Sequence, residues 1–290
     1  MQPSKATPKV SVKFAICFTA CAVSTLAPFP PATAEPMEQP AAFDDLIQSP
    51  LIPSPNQISA HKSWLETYLA TQVGAPIKAE PVPEESGFHW SKALLENASA
   101  IEDEKERRRT LYELIGQHLT VAEQLQESRF ADTRLDGVGL ALISSRYAAV
   151  KLNDPKLAVA INEAFILPHL QDAPLESWHE LSLTALLEHI VQGYGANQET
   201  TKQIAAYELW FGHEKARNKQ DFIRLQLAYI YDAAKNYDAA LKYLYDISAR
   251  GDLRDARQMI PVIQKKRADE REEKLQEQEE RAAEATPVEQ

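Results

Sequence analysis

The sequence predicts an all-α protein made of antiparallel helix pairs, arranged as an irregular α-solenoid or a helical bundle. Three observations lead there. From Phe88 onward apolar residues recur at helical spacing in one segment after another, and no stretch sustains the period-two alternation of a half-buried strand. Glycine is scarce, with 9 in 290 residues. Proline partitions the chain: thirteen of the 18 precede Glu84, and Glu84 to Thr286 holds only Pro155, Pro168, Pro174 and Pro261. Because proline removes a backbone donor and clashes with the preceding turn, a long segment nearly free of it is one in which helices can run.

The first 34 residues read as a targeting peptide and not as part of the fold. Lys5, Lys9 and Lys13 form a positive region, Phe14 to Ala27 is an uncharged apolar run, and Ala32-Thr33-Ala34 is a small-x-small cleavage pattern. The run is shorter than the ~20 residues that span a bilayer, and no longer apolar run follows. Cleavage after Ala34 would place the mature chain in the periplasm or outside the cell. Lipid anchoring at Cys21 ranks second, since Phe18 stands where a lipoprotein box usually has Leu. Both cysteines, Cys17 and Cys21, leave with the peptide. Disulfides, thiol catalysis and zinc-thiolate sites are then excluded.

Residues 35–87 are expected to be a Pro-rich linker with one short helix over 58–73, where Trp64, Leu65, Tyr68, Leu69 and Val73 share a helical spacing. That helix either docks on the body or serves as a free recognition segment. Residues 88–264 form the helical domain, with helices expected over 90–100, 103–129, 136–152, 155–170, 175–192, 199–215, 221–234 and 237–250, and a last one from 253 onward. The stops have local causes: "LNDPK" and "QDAPLES" each set a turn before a proline that suits a first helical position, and "GYGAN" breaks the chain with two glycines. Residues 265–290 are a charged tail whose only large apolar residue is Leu275, so it lacks a coiled-coil seam and is expected to be an exposed helix that ends in disorder at "TPVEQ".

The stretch "LAYIYDAAKNYDAALKYLYDI" (227–247) carries the most specific pattern. Leu227, Ala228 and Tyr231 share one helical face; after the "AAKN" turn, Tyr237, Ala240 and Leu244 share another. This spacing resembles the tetratricopeptide repeat, a helix-turn-helix unit of about 34 residues. Arg224 departs from the pattern at a position where a large aromatic is usual, and Ile247 replaces a customary Ala. Ala160 and Ala206 occupy comparable close-approach positions, at irregular spacing. The resemblance implies stacked helix pairs. The alternative is an ordinary bundle.

Chemistry is sparse in this sequence. Glu176 and His179 have the Glu-x-x-His spacing of a di-iron bundle, but a second copy is missing. His189 falls well off the helical face of His179, so both are read as surface or boundary residues. No phosphate loop, nucleophile elbow or serine beside a plausible base is visible, and Trp178, Trp210 and Phe211 read as core. No catalytic residue, metal ligand or cofactor is assigned. With 42 acidic against 31 basic residues and a net charge of −11, the surface disfavours nucleic acid and anionic lipid. The runs "EDEKERRRT" and "KKRADEREEKLQEQEERAAEA" place acids four residues before bases, the order that suits an exposed helix face.

The expected role is an exported, non-catalytic adaptor that presents a helical groove to a protein or peptide. In tetratricopeptide pairs the first helix lines the concave surface; that register puts Phe222, Leu225, Tyr229 and Asp232 toward the groove. Such a surface suits a peptide with apolar anchors and a basic or hydrogen-bonding group. The competing expectation for these four residues is that a further helix, 253–263 or the one carrying Trp64, covers them as core. The alternative role is an exported helical enzyme or a metal- or cofactor-carrying bundle.

Overall fold

The computed structural model describes residues 51–78, 88–176, 178–250 and 254–285. Among them are ten α-helices and no strand, the all-α class that the sequence predicts: α1 (Pro55–Val73), α2 (Phe88–Ser99), α3 (Glu104–Gln126), α4 (Ala131–Val150), α5 (Pro155–Ile161), α6 (Leu183–Ala196), α7 (Thr200–His213), α8 (Arg217–Ala233), α9 (Tyr237–Arg250) and α10 (Arg254–Ala285). The segment expected to be a targeting peptide, with Cys17 and Cys21, much of the Pro-rich segment and the terminal "TPVEQ" lie outside the described residues. No described helix is long and apolar enough to cross a membrane.

The elements before α6 pack around α4, whose buried residues mix the aliphatics Val138, Leu140, Leu142 and Ile143 with the small Gly137, Gly139, Ala141, Ser144, Ser145 and Ala148. Small side chains let neighbouring backbones approach. At Gly137 a Cβ would sit 2.8 Å from the carbonyl oxygen of Ala122 on α3. Helix α1 docks on this body. It starts with a capping box between Ser54 and Gln57 and ends at Gly74, whose φ of 78° supplies the left-handed cap that glycine adopts freely. Leu65, Leu69 and Val73 are buried, and burying side chains of this size stabilises by about 1.5–3 kcal/mol each. Polar ties add register: His61 Nε2 lies 2.9 Å from Glu163, Lys62 Nζ 2.8 Å from Glu123, and the Tyr68 hydroxyl donates to Asp154 at 2.6 Å. Asp154 also caps α5 by accepting from Leu157 N at 3.0 Å.

Helix α5 does not continue in regular form to Leu170. It widens into a π-helical turn (Asn162–Ile166) and tightens into a 3₁₀ segment (Leu167–Asp172). Pro168 explains the change, because its missing N–H cannot serve the carbonyl four residues back and its ring crowds that turn. The ladder shifts instead, with Leu167 N–H donating to Asn162 O. A second departure follows. The expected helix over 175–192 begins only at Leu183, capped by Ser182 Oγ at 3.3 Å from Ala185 N, and the chain runs through turns at Trp178–Leu181. Trp178 is 83% exposed, so it is not core; Trp210 is buried as expected, and Phe211 is only half-buried against the core.

From α6 onward the main packing is between successive helices: α6 with α7, α7 with α8, α8 with α9, α9 with α10. Leu227, Ala228, Ala240, Leu244 and Ile247 are all buried. Arg224 is buried too; it pairs with Asp221 at 2.8 Å and lies over the Phe211 ring, 4.5 Å from its centroid. The aromatic contact at that position is thus made from Phe211, one helix earlier. The turn between α8 and α9 uses Lys235 at φ 57°, and Asn236 caps α9. Helix α10 packs only through its first part: Ala256 and Ile263 are buried, whereas 271–281 are exposed throughout. Pro261 lies inside α10, exposed to solvent.

Candidate functional site

An open groove of about 310 Å³ runs between α8 and α10, lined by Tyr229, Asp232, Asp255, Gln258, Met259, Val262 and Ile263. Its lining is mostly apolar and includes two carboxylates. Tyr229 is 45% and Val262 55% exposed, so two large apolar surfaces face solvent side by side. Asp232 is held by Lys266, whose ammonium donates to both carboxylate oxygens at 2.7 and 3.0 Å. Asp255 lies in the first turn of α10 and is exposed.

The four residues expected to line a groove are divided by the structure. Tyr229 and Asp232 line it together. Leu225 is buried in a small core shared by α8, α9 and α10, where Ala256 and Ile263 cover it. Phe222 is exposed but lies toward α7, its ring edge-on to Trp210 at 6.5 Å. The sequence offers 253–263 only as a cover for these residues, and that helix both covers Leu225 and forms the other wall of the groove. Its signal was present: Ala256, Met259, Ile260 and Ile263 fall at i, i+3, i+4 and i+7, the spacing of one helical face.

Three of the remaining tyrosines of the stretch brace this region. Tyr231 and Tyr243 stack with ring centroids 5.9 Å apart, and both hydroxyls donate to Glu208 on α7, at 3.1 and 3.4 Å. Burial, followed by the Glu208 charge, pushes both phenols up to about 12, so both are donors at neutral pH. Tyr245 accepts from Gln264 of α10 at 2.7 Å.

A second polar cluster surrounds the π turn, and here the sequence expectations need correction. His189 is buried, not at the surface. Its Nε2 lies 2.9 Å from Ser145 Oγ, a serine beside a base that sequence separation concealed. Ser145 also lies 3.1 Å from Ala158 O and 2.8 Å from the Asn162 side chain. With the hydroxyl fully buried and shared among three partners, the group acts as a cross-brace between α4, α5 and α6. Asn162 Nδ2 is left without a hydrogen-bond partner. Exchanging the amide oxygen and nitrogen would aim the nitrogen at Ser145 and leave the oxygen in its place. Gly193 makes the room, since a Cβ there would sit 3.1 Å from Nδ2. Next along the π turn, buried Glu163 receives Tyr194 at 3.0 Å and Lys202 at 2.6 Å, besides its contact with His61. Burial and the Glu163 charge raise the Tyr194 phenol.

His179 lies in the exposed turn, where its Nδ1 accepts from Leu181 N at 3.1 Å, and Glu180 pairs loosely with Arg146 at 3.5 Å. His179 and His189 therefore do not share a helix. Among the described residues no group of three His, Cys, Asp or Glu side chains could hold a metal ion. No family model, no curated protein and no solved structure matches this chain.

Proposed function

We propose that this chain is an exported, non-catalytic adaptor whose helices present a groove to a protein or peptide. The observation that carries the reading is the α8–α10 groove, where an exposed phenol ring, the side chains of Met259, Val262 and Ile263, and the carboxylates of Asp232 and Asp255 converge. A peptide side chain with an apolar stem and a cationic head meets all three: the stem lies on Met259 and Val262, and the charge meets the carboxylates of Asp232 and Asp255 and the Tyr229 ring face. The buried positions of Leu227, Ala228, Ala240 and Leu244 support reading α8 and α9 as a tetratricopeptide-like pair. Export is supported by the basic, apolar and small-residue order of the first 34 residues.

Peptide display against the full chain tests this, with the Tyr229→Ala, Asp232→Ala double variant as counter-target. Selected peptides should carry Lys or Arg beside a large apolar residue and should lose binding to the variant, whose melting temperature stays close to that of the wild type. Asp232 and Lys266 form a surface pair, and such pairs contribute about 0–1 kcal/mol. Equal binding to both chains would remove the groove as the site.

A further inference from the structure

The way α10 itself sits on α8 and α9 describes a ligand. Over Arg254–Arg267 it offers an apolar stripe, Ala256, Met259, Ile260 and Ile263, to the small core of Leu225, Ala228, Ala240, Leu241, Leu244 and Ile247. Ten residues after Ala256, Lys266 meets Asp232 of α8; Arg267 meets Asp238 at the start of α9 at 2.6 Å. This is the helix-in-groove mode, with apolar anchors at i, i+3, i+4 and i+7 and a cation one turn beyond.

Three features mark α10 as an imperfect occupant of that surface. Its polar ties to α8 and α9, from Gln264, Lys266 and Arg267, all lie at exposed sites, where water and salt screen them. Pro261 deletes one of its backbone hydrogen bonds within the docked part. The open groove beside it leaves Tyr229 and Val262 half in solvent, so the contact face is not filled.

Resting on the adaptor reading above, but at the face that α10 covers and not in the groove that α10 helps to line, we propose that Arg254–Arg267 is an internal occupant of a helix-binding face on α8 and α9. The partner recognised there is an amphipathic helix that repeats this stripe, followed by Lys or Arg at i+10, and it competes with α10 for Asp232. The chain is then self-limiting, because the face is open only in the fraction of molecules whose α10 has lifted. A receptor that is competent for a fraction of the time binds with its affinity reduced by that fraction.

The test uses the full chain and a fluorescent synthetic peptide of residues 254–270, read by anisotropy. The wild-type chain should bind it weakly, and the Ile263→Asp chain about tenfold more tightly, the gain expected when a largely closed face becomes largely open. Lys266→Glu in the peptide should reverse most of that gain. Should Ile263→Asp fail to fold, Lys266→Glu in the chain, at an exposed pair, must still give a smaller gain. A folded variant that shows no gain, or an equal gain with a scrambled peptide, overturns the proposal. If displayed peptides still bind the wild type through Tyr229 and Asp232, the adaptor reading survives that failure; if none do, it falls separately.

Discussion

Mild acid should loosen this protein, because two histidines are folded into it in neutral form. Burial lowers His118 to about 4 and, with a smaller effect of the nearby Arg146 charge, lowers His189 to about 4, against an ordinary value of 6.5. His118 lies 2.9 Å from Ser91 Oγ and His189 2.9 Å from Ser145 Oγ. The unfolded chain binds protons at these sites from about pH 6.5 downward, whereas the folded chain resists until about pH 4. The stabilisation is therefore complete above pH 6.5 and is lost as pH falls toward 4. At about pH 5 the unfolded chain is favoured by roughly 1.5 pH units of uptake per site, or about 2 kcal/mol each. Two such sites amount to about 4 kcal/mol, a large share of the 5–15 kcal/mol typical of a folded protein. His169, lowered chiefly by its own burial, adds in the same direction.

Urea unfolding followed by circular dichroism at pH 7, 6 and 5 measures the slope. His118→Gln and His189→Gln keep a side chain able to hydrogen-bond the serine but unable to titrate. Each should flatten the pH dependence by about 2 kcal/mol between pH 7 and 5, even where it costs some stability at neutral pH. A wild-type stability that is flat across this range, or a double variant with the wild-type slope, would refute the assignment of neutral buried rings.

Three further outcomes follow from packing and sequence. Gly137→Ala should destabilise by about 1–3 kcal/mol in thermal or urea melts, because the added Cβ falls 2.8 Å from the Ala122 carbonyl oxygen, which cannot turn aside; this outweighs the ~1 kcal/mol that Ala gains over Gly in a helix. Ala240→Leu should cost a similar 1–3 kcal/mol whereas Ala234→Leu costs little, since Ala240 is fully buried and Ala234 is exposed; equal melting temperatures would show that α8 and α9 can separate freely there. The exported form should begin at Glu35 by intact mass, and an acylated species beginning at Cys21 would establish a lipid anchor in its place.

The helices and their faces were legible in the sequence because helical spacing is a local property. Leu227, Ala228, Ala240 and Leu244 announce their burial within one short stretch. What stayed hidden was long-range. The Ser145–His189 contact joins residues 44 apart, and nothing in "ISSRYA" or "LEHIV" marks one as the other's partner. The late start of α6 was missed because Leu175 and Trp178 look like a helical face, yet no neighbouring surface receives Trp178, and Ser182 offers a cap further on. The arginines of "EDEKERRRT" were read as partners of acids on their own helix. They instead reach backbone carbonyls, Arg107 that of Ile101 and Arg108 that of Leu152, a choice that only the folded chain presents.

The tyrosines of 227–247 show how one local pattern can serve two ends. A helix pair needs large residues where its axes diverge, and leucine alone would satisfy that need. Tyrosine adds a hydroxyl, and at Tyr231 and Tyr243 that hydroxyl fixes Glu208 and thereby ties α7 to both helices of the next pair. Tyr245 takes its hydrogen bond from Gln264 on α10, on the far side of the pair from that tie. Tyr229 alone among these four lines the groove, with its ring half exposed. Tyr231, two residues on along α8, is spent on bracing, so the backbone beside Tyr229 is tied to α7. A ring displayed on a braced helix loses little freedom when a partner closes over it, and that small entropic loss is what lets an exposed aromatic contribute to binding.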